Sequence, residues 1–339
     1  MRPFVYHRAG NLAEAIDVMS HGPGNIPPTL APAQFLAGGT TMLDLMKLDV
    51  MRPEVLVDIR DLGPAGRRIE ERPNALYLGA SVTMAEASEH PAVKRDYPVI
   101  AQSLDLAASP QLRNMATLGG NVLQRTRCTY FRDTSWNHCN KRAPGSGCAA
   151  FDGVNRKHAV LGVSNNCIAA YPGDFAQALV ALDAVAEIVG PAGNRVVEFA
   201  ALHRAPGDTP HIETNLVPGE VIIGFLVPAA AWTRRSLFLK IRDRQSYEFA
   251  LASAAVALDL VDGAVNAAHI ALGGVATRPW RAREAEAALS GKKLDEATAK
   301  HAADVAFTSA QPRSENRYKI ELGKRTMVRA LLQAAQMNT

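Results

Sequence analysis

The chain has 339 residues, of which 47% are hydrophobic and 21% are charged, and its formal net charge is +4. These values are typical of a globular protein of about two domains. A net charge this small gives no reason to expect binding to nucleic acid or to a membrane surface. No apolar run approaches the roughly 20 residues of a membrane-spanning helix, so we expect no membrane span.

Strand and helix patterns alternate through the first part of the chain. The predicted strands are Phe4–Tyr6, Ala33–Ala37, Val55–Asp58, Leu76–Gly79, Val185–Val189 and Arg195–Glu198. The predicted helices are one that follows the N-cap Asn11 and runs to Met19, then Met42–Leu48, Met84–Glu89, Pro98–Leu106 and Phe175–Leu182. Between these elements, Gly22–Pro32 is expected to be a loop and Arg60–Pro73 a polar, hairpin-like connection.

Two Gly-Gly turns stand out among the connections. The first, Gly38-Gly39-Thr40-Thr41, follows a predicted strand and leads into a helix, and the second lies in Thr117–Asn121. Glycine lets a backbone approach a phosphate closely, and a helix start presents free N–H groups. Neither turn is a GxGxxG or Walker sequence, so each alone could be a tight turn between elements. Together the two turns favour a cofactor that contains a pyrophosphate.

All four cysteines of the chain, Cys128, Cys139, Cys148 and Cys167, fall within one segment, with ten, eight and eighteen residues between successive members. Two disulfides, a structural zinc and an iron–sulfur cluster are each compatible with four cysteines. Zinc ribbons usually contain close Cys-x2-4-Cys pairs, which this segment lacks, and disulfides suit small secreted domains with little core. The spacing favours an iron–sulfur cluster, while zinc and disulfides stay open.

The composition of the cysteine segment predicts its conformation. Glycine and proline punctuate it at Pro144, Gly145, Gly147 and Gly153. We therefore expect an irregular loop with little packing of its own, not a helix or a strand. Residues 122–166 hold seven Lys and Arg residues against two Asp residues, an excess that could offset a cluster's charge or dock an acidic partner. Two histidines in the segment, His138 and His158, are expected to be loop residues near solvent.

The last third of the chain predicts a second domain. Val217–Pro228 is expected to end the first domain, and Pro228–Trp232 is expected to be a linker. Beyond it the sequence predicts strands at Leu237–Arg242 and Val265–Leu272, a long apolar stretch at Phe249–Val261, and helices at Ala282–Leu289, Leu294–Phe307 and Tyr318–Gln336. Strands followed by helices indicate an α+β arrangement for this domain.

Six segments carry a family resemblance. They read AGGTTMLDLMK, SPQLRNMATLGGN, PGDFAQALVALDA, PGEVIIGF, FLKIRDRQSYEFALASAAVAL and ALGGVATRPWRA. In this order they resemble the FAD-binding subunit of the molybdenum hydroxylases, the xanthine dehydrogenase and aldehyde oxidase family. The resemblance implies an α+β fold. Its FAD-binding domain, residues 1–228, would have two subdomains of the PCMH or vanillyl-alcohol-oxidase type, and a smaller α+β C-terminal domain would cover residues 236–339.

The same resemblance implies roles for individual residues. The FAD pyrophosphate would be wrapped by Gln34, Phe35, Leu36, Ala37, Gly38, Gly39, Thr40, Thr41 and Met42. A second phosphate and flavin contact would come from Thr117, Gly120 and Asn121. Asp174 would bind FAD hydroxyls, since a carboxylate accepts hydrogen bonds from them, and Ile222 and Lys240 would supply an apolar and a basic contact. No catalytic acid or base is expected in this chain.

The cysteine segment resembles a narrower group. An insertion of this form, here residues 122–167, occurs in the flavoprotein subunit of bacterial periplasmic aldehyde oxidoreductases, where four cysteines hold a [4Fe–4S] cluster. A similar insertion occurs in the 4-hydroxybenzoyl-CoA reductase flavoprotein. The resemblance implies that Cys128, Cys139, Cys148 and Cys167 are the ligands of one [4Fe–4S] cluster in this chain.

The function implied is electron transfer in a molybdenum-dependent aldehyde oxidoreductase that oxidises aldehydes, aromatic ones first among them, to carboxylic acids. The partners would be a small [2Fe–2S] subunit and a large molybdopterin subunit, forming a heterotrimer, together with an electron acceptor. A flavoprotein subunit of an aryl-CoA reductase or of a xanthine-dehydrogenase-like hydroxylase is an alternative, and a zinc-stabilised binding module is another. The compartment would be the periplasm if a partner with a twin-arginine signal exports the complex, and otherwise the cytoplasm.

Overall fold

The computed structural model of the protein describes residues 1–20, 26–61 and 63–338. Part of the predicted loop Gly22–Pro32, residues 22–25, lies outside the described residues, as does one residue of the predicted connection Arg60–Pro73.

The strands of the described residues form three sheets. In chain order the strands are β1 (Val5–Arg8), β2 (Ala33–Leu36), β3 (Val55–Asp58), β4 (Ile69–Arg72), β5 (Ala75–Gly79), β6 (Val185–Gly190), β7 (Gly193–Glu198), β8 (Val221–Pro228), β9 (Ser236–Ile241), β10 (Ala252–Val261), β11 (Ala264–Gly273) and β12 (Trp280–Arg281).

Helices connect and cover these sheets. They are α1 (Leu12–Ser20), α2 (Met42–Lys47), α3 (Met84–Glu89), α4 (Pro91–Asp96), α5 (Pro98–Asp105), α6 (Pro110–Arg113), α7 (Leu118–Val122), α8 (Thr129–Arg132), α9 (Phe175–Ala181), α10 (Ala231–Arg234), α11 (Arg283–Leu289), α12 (Glu296–Ala306) and α13 (Tyr318–Ala335).

The first sheet is small and parallel, with strand order β1-β3-β2. The first Gly-Gly turn leaves the carboxyl end of β2, and α2 then leads back to β3. Parallel strands need such a crossover, and the loops at their carboxyl ends are the usual place for a ligand in sheets of this kind. The fold therefore presents Gly38 and Gly39 at the edge where a cofactor would be expected.

The second sheet is antiparallel, with strand order β4-β5-β8-β6-β7. Helices α3, α5 and α9 contribute to the apolar core on it, which includes Phe175, Phe199 and Phe225, all fully buried. The three phenylalanine rings meet edge to face, an arrangement that aromatic quadrupoles favour. This core holds the second Gly-Gly turn against the end of β5, because Gly119 N–H donates to the carbonyl of Ala80 at 2.8 Å.

The third sheet, β12-β11-β10-β9, forms the centre of the C-terminal domain. Alternate residues of β10 reach two different cores: Ala254, Val256 and Leu258 pack with residues of α11, α12 and α13, whereas Ala255 and Ala257 join the core of the second sheet. A strand that is buried on both faces is continuously apolar. This burial explains why the sequence from Phe249 to Val261 shows no alternation of polar and apolar residues.

The α+β class and most predicted elements are confirmed. The predictions that were wrong concern segments that connect these elements. The predicted linker Pro228–Trp232 contains the end of β8 and the start of α10, and the connection Arg60–Pro73 contains the whole of β4. Short helices α4 and α6 were not predicted. Each begins with a proline, which suits the first turn of a helix because an N–H at that position would have no partner within the helix.

In the part of the chain that the structure describes, no helix combines the length and hydrophobicity needed to cross a membrane.

Lys319, on α13, is a fully buried cation that joins three parts of the chain. Its ammonium donates to the carbonyls of Lys157 at 3.0 Å and of Gly274 at 2.7 Å. Burial, together with the charges of Arg156 and Lys157, lowers the pKa of Lys319 from 10.5 to about 7. The folded chain therefore loses this proton at a lower pH than the unfolded chain.

We expect Lys319→Met to change how stability depends on pH. Between about pH 7 and 10.5 the unfolded chain binds a proton that the folded chain has lost, so the free energy of unfolding of the unmodified protein rises with pH. Methionine cannot bind this proton, so the variant should lack this increase in the free energy of unfolding, which we expect to be roughly 3–5 kcal/mol between about pH 7 and 10.5. Chemical denaturation at several pH values measures it. Lys300→Met, at an exposed lysine paired with Glu296 on α12, is the control and should keep the slope. Equal slopes for the unmodified protein and Lys319→Met would contradict the assignment.

Candidate functional site

A cleft of about 380 Å³ lies between the first and the second sheet. It brings together most of the residues for which the resemblance implied FAD contacts. Those that line it are Gln34, Phe35, Ala37, Gly38, Gly39, Thr40, Thr41, Met42, Thr117, Gly120 and Ile222. Residues that are distant in sequence thus converge on one ligand-sized cavity, and pockets of this size are typical of cofactor sites.

The glycines of the first turn are required by its geometry. A Cβ atom on Gly38 would lie 1.9 Å from the carbonyl oxygen of Met115, so the backbones of the two subdomains touch at this point. Gly39 has a φ of +77°, a left-handed conformation that side chains rarely adopt. These two glycines form a backbone cradle with no side chain in the way, which fits a pyrophosphate.

The second turn is fixed by hydrogen bonds of its own. The hydroxyl of Thr117 accepts from Gly120 N–H at 3.1 Å. Asn121 follows the turn and donates its side-chain amide to the sulfur of Met84 at 3.3 Å. The Asn121 Oδ1 atom is buried and has no hydrogen-bond partner. A buried acceptor without a donor is costly, so it marks a place where a ligand hydroxyl or amide would be accommodated.

Four of the residues implied by resemblance do not line this cleft. Leu36 packs in a core with Leu45 and Leu56, and Asn121 lies behind the second turn. Asp174 and Lys240 form a buried ion pair at 2.6 Å instead. Lys240 belongs to β9 of the C-terminal domain's sheet, so this pair joins the two domains.

The ion pair leaves one carboxylate oxygen free. Asp174 Oδ1 is buried and has no hydrogen-bond partner, and the side chain does not cap α9. Burial raises the pKa of Asp174, although the neighbouring Lys240 opposes that effect. Lys240 also donates to the carbonyl of Leu106 at 3.0 Å. A free acceptor beside a buried ammonium suits a polyhydroxylated group such as the ribityl chain of a flavin.

All four cysteines line one small cavity in the insertion. None of them forms a disulfide, and Cys139 and Cys167 are buried. Cys139 and Cys148 are opposite each other in an isolated antiparallel bridge, which fixes their backbones side by side. Cys128 and Cys167, which are far apart in the sequence, line the same cavity as this pair.

The cysteine sulfurs are desolvated and receive backbone N–H groups. Burial raises the pKa of Cys128 to about 12 and that of Cys148 to about 11, and it raises the pKa of Cys167 as well. Amides of Tyr130 and Phe131 oppose the rise at Cys128 by donating to its sulfur. Such thiols become thiolates when a metal centre supplies positive charge, and N–H donors then stabilise the ligand sulfurs.

Among the described residues, no group of three or more His, Cys, Asp and Glu side chains is arranged to hold a single metal ion.

The insertion is a packed structure, contrary to the sequence-based expectation. Phe131 is fully buried, and Tyr130 and Ile168 form a small apolar cluster of their own. One helical turn, α8, interrupts the predicted irregular loop. Its side chains reach the first sheet, because Phe131 packs with Leu45 and Leu56. The prediction of little packing failed because aromatic residues beside the cysteines find partners in the flanking domain.

Asp44, on α2 directly after the first Gly-Gly turn, holds two arginines of the insertion. Its carboxylate contacts Arg132 at 2.9 Å and Arg127 at 3.1 Å. Burial alone would raise the pKa of Asp44, but Arg132 and Arg127 outweigh burial and lower it. These contacts attach the cysteine segment to the helix that forms one wall of the cleft.

A second carboxylate, Glu213, lies on the other side of the insertion. It contacts Lys141 at 2.8 Å and forms an ion pair with Arg125. Burial would raise the pKa of Glu213, and the two cations together lower it. Lys141 also lowers the pKa of Cys167 against the effect of burial, so it places positive charge beside the cysteine cavity.

The remaining cations of the insertion are also paired. Arg156 binds Asp243 at 2.8 Å, Lys157 lies 3.3 Å from Glu248, and Arg142 donates to backbone carbonyls of α8. These cations thus have contacts within the chain, and docking of an acidic partner by the insertion stays a prediction. All seven cations have partners within the chain, and these contacts fasten the insertion to both domains.

A further cavity, of about 230 Å³, lies between the cleft and the cysteines. Gln34 and Arg125 line both this cavity and the cleft, whereas Lys141 and Cys167 line both this cavity and the cysteine cavity. The two predicted cofactor sites are therefore neighbours in space.

His158 contradicts the expectation of a loop histidine near solvent. It is 5% exposed, and its Nε2 lies 3.2 Å from the sulfur of Cys128. Burial, and to a lesser extent Lys319, lowers the pKa of His158 to about 4, so the ring is neutral at pH 7. The two residues are 30 positions apart in the sequence, and the segment between them carries no periodic signal that could have paired them. His138, by contrast, is exposed and hydrogen-bonds the carbonyl of Ser146.

The chain matches two families that together cover almost all of it. Residues 2–230 match the FAD binding domain in molybdopterin dehydrogenase, and residues 238–334 match the CO dehydrogenase flavoprotein C-terminal domain. The chain is 44% identical to the aldehyde oxidoreductase FAD-binding subunit PaoB of Escherichia coli K12 over 335 residues, which are 98% of this chain and 99% of that protein.

Other relatives agree in fold. The carbon monoxide dehydrogenase medium chain of Afipia carboxidovorans is 26% identical over 93% of this chain and 89% of that protein. The crystal structure of quinoline 2-oxidoreductase from Pseudomonas putida 86 superposes with a TM-score of 0.74 at 27% identity, covering 99% of this chain and 98% of the other.

The protein belongs to the FAD-binding subunits of the molybdenum hydroxylases. It is therefore an oxidoreductase subunit, and the alternative of a binding module without a redox role is wrong. The predicted fold of an FAD-binding domain followed by a smaller α+β C-terminal domain is confirmed, and the second domain matches the CO dehydrogenase flavoprotein C-terminal family.

Replacing Gly39 with valine should empty the flavin site. Valine at a φ of +77° is strained, and its Cβ would lie 3.2 Å from the Leu43 side chain, so the turn has to move. The absorbance of flavin released from the purified protein measures the occupancy. Gly263→Val is a matched control, because that glycine has a φ of +79° in the β10–β11 hairpin with nothing within 4 Å. Full flavin in Gly39→Val would exclude this turn from the binding site.

Proposed function

We propose that this chain is the electron-transfer flavoprotein subunit of a molybdenum-dependent aldehyde oxidoreductase, and that its insertion binds one [4Fe–4S] cluster. The observation that carries the proposal is the convergence of Cys128, Cys139, Cys148 and Cys167 on one cavity. Similarity over the full length to an aldehyde oxidoreductase FAD-binding subunit supports the reaction class.

The chemistry of the cavity favours a cluster over a zinc ion. A cubane takes one thiolate for each iron, so its ligands surround a space and do not converge on a single ion. Backbone N–H groups aimed at Cys128 and Cys148 would stabilise ligand sulfurs, as is usual in iron–sulfur sites. Lys141 lies close enough to offset part of the negative charge of four thiolates.

FAD, when bound, accepts and releases electrons, and this chain's residues position it. Gly38 and Gly39 would approach the pyrophosphate through their backbone. Asn121 and Asp174 lie outside the lining of the cleft, so the cofactor contacts implied for them would require their buried free oxygens to become accessible from it. No acid or base from this chain is needed, because the aldehyde would react on another subunit.

The partners proposed are a small [2Fe–2S] subunit and a large molybdopterin subunit. The medium chains of carbon monoxide dehydrogenase and the FAD-binding subunit of the aldehyde oxidoreductase, which resemble this chain over its full length, are named as parts of larger enzymes. Aromatic aldehydes are the proposed substrates, and an electron acceptor would take electrons from the flavin. The periplasm is the proposed compartment, reached through a partner that carries a twin-arginine signal.

The insertion would couple cluster binding to flavin binding. Arg127 and Arg132 hold Asp44 on α2, one turn after the Gly-Gly cradle, while Arg125 lines the flavin cleft itself. A change in the conformation of the cysteine segment would therefore move a wall of the cleft. Cluster loss should accordingly weaken FAD binding as well as change redox behaviour.

Cys148→Ser should lower the iron content by about four atoms per chain, because the chain has no fifth cysteine to replace the missing ligand. Serine is close to cysteine in size, so a fall in iron would report the lost sulfur ligand and not a steric clash. Iron and zinc are measured by elemental analysis of protein purified without oxygen. Retained iron in the variant, or stoichiometric zinc in the unmodified protein, would overturn the cluster assignment.

The isolated chain should show no aldehyde oxidation even when it is loaded with FAD. The reason is that the proposed substrate centre lies on the molybdopterin subunit and this chain would only carry electrons. An assay with benzaldehyde and an artificial acceptor tests this, and the complex reconstituted with both partner subunits is the positive control. Substantial aldehyde turnover by the isolated chain would contradict the proposal that the substrate centre lies on another subunit.

A further inference from the structure

His158 forms a side-chain hydrogen bond with a cysteine sulfur. Its Nε2 lies 3.2 Å from Sγ of Cys128, and no other side-chain hydrogen bond to a cysteine sulfur occurs in residues 1–20, 26–61 and 63–338. The backbone places the ring firmly. His158 N–H donates to the carbonyl of Asn155 at 2.9 Å, and the ring packs at a tilt against Tyr130, with centroids 6.1 Å apart.

The hydrogen-bond roles follow from the chemistry of a ligand thiolate. A thiolate has no proton to donate, so the contact with Cys128 requires the imidazole proton to be on Nε2. Nδ1 then carries a lone pair, and this atom is buried without a hydrogen-bond partner. The sulfur of Cys128 is the partner of Nε2, and the packing against Tyr130 together with the backbone contact at Asn155 holds the ring at that position.

We propose that His158 donates its Nε2–H to the sulfur of Cys128 and thereby raises the reduction potential of the cluster. This inference rests on the proposed function, because it needs the four cysteines to bind iron. Reduction adds negative charge, part of which resides on the ligand sulfurs. A donor aimed at one of them stabilises the reduced state more than the oxidised state. His158 is thus a positioning and tuning residue, not a cluster ligand.

The test uses the FAD-loaded, iron-loaded protein and three variants. His158→Leu removes the donor, His158→Gln keeps an N–H near the position of Nε2, and His138→Leu removes a histidine of the same insertion that bonds the carbonyl of Ser146 instead. Each protein is analysed for iron, and the cluster potential is measured by redox titration of the electron paramagnetic resonance signal of the reduced cluster.

We expect unchanged iron in all three variants and a shift to more negative potential in His158→Leu. His158→Gln should lie between His158→Leu and the unmodified protein, and His138→Leu should match the unmodified protein. If the cluster potential of His158→Leu equalled that of the unmodified protein, the inference about His158 would be overturned, but the proposal that the chain binds a cluster would stand. Loss of iron from both His158 variants would also overturn it, since the residue would then hold the fold and not tune the cluster. Absence of iron from the unmodified protein would instead contradict the proposed function, because the insertion would then bind no cluster.

Discussion

The attachment of the cysteine segment to its surroundings depends on Asp44. Two guanidinium groups, from Arg127 and Arg132, contact its carboxylate, and all three side chains are half-buried. A single exposed ion pair contributes only ~0–1 kcal/mol, whereas this half-buried carboxylate contacts two arginines of the insertion at once. Because Asp44 belongs to the helix that leaves the first Gly-Gly turn, the same contact orders both the insertion and one wall of the flavin cleft. The cysteine cavity and the flavin cleft are thereby connected through the same side chains.

The second constraint is the contact between the two Gly-Gly turns. Gly38 touches the backbone of Met115, so the cleft is formed where two subdomains meet without side chains between them. The buried pair of Asp174 and Lys240 then joins the first domain to β9 of the second. Unsatisfied oxygens on Asn121 and Asp174 lie near these joints.

Local features were predictable from sequence, whereas contacts between distant residues were not. The strands β2 and β3, the glycine turns and the set of four cysteines follow from periodicity and spacing. The link between Asp44 and Arg132 spans 88 residues, and the one between His158 and Cys128 spans 30, so neither leaves a local pattern. The seven cations of the insertion illustrate the difference. Their number was visible in the sequence, but only the fold shows that they are all paired within the chain.

The central claim is that one chain holds both a flavin and a four-iron cluster in neighbouring sites. Anaerobic reductive titration of the purified protein tests it most directly. Full reduction should consume about three electrons per chain, two for FAD and one for the cluster, with the loss of flavin absorbance accompanied by a broad loss in the visible region. Consumption of about two electrons per chain, with the spectral change of a flavin alone, would contradict the claim.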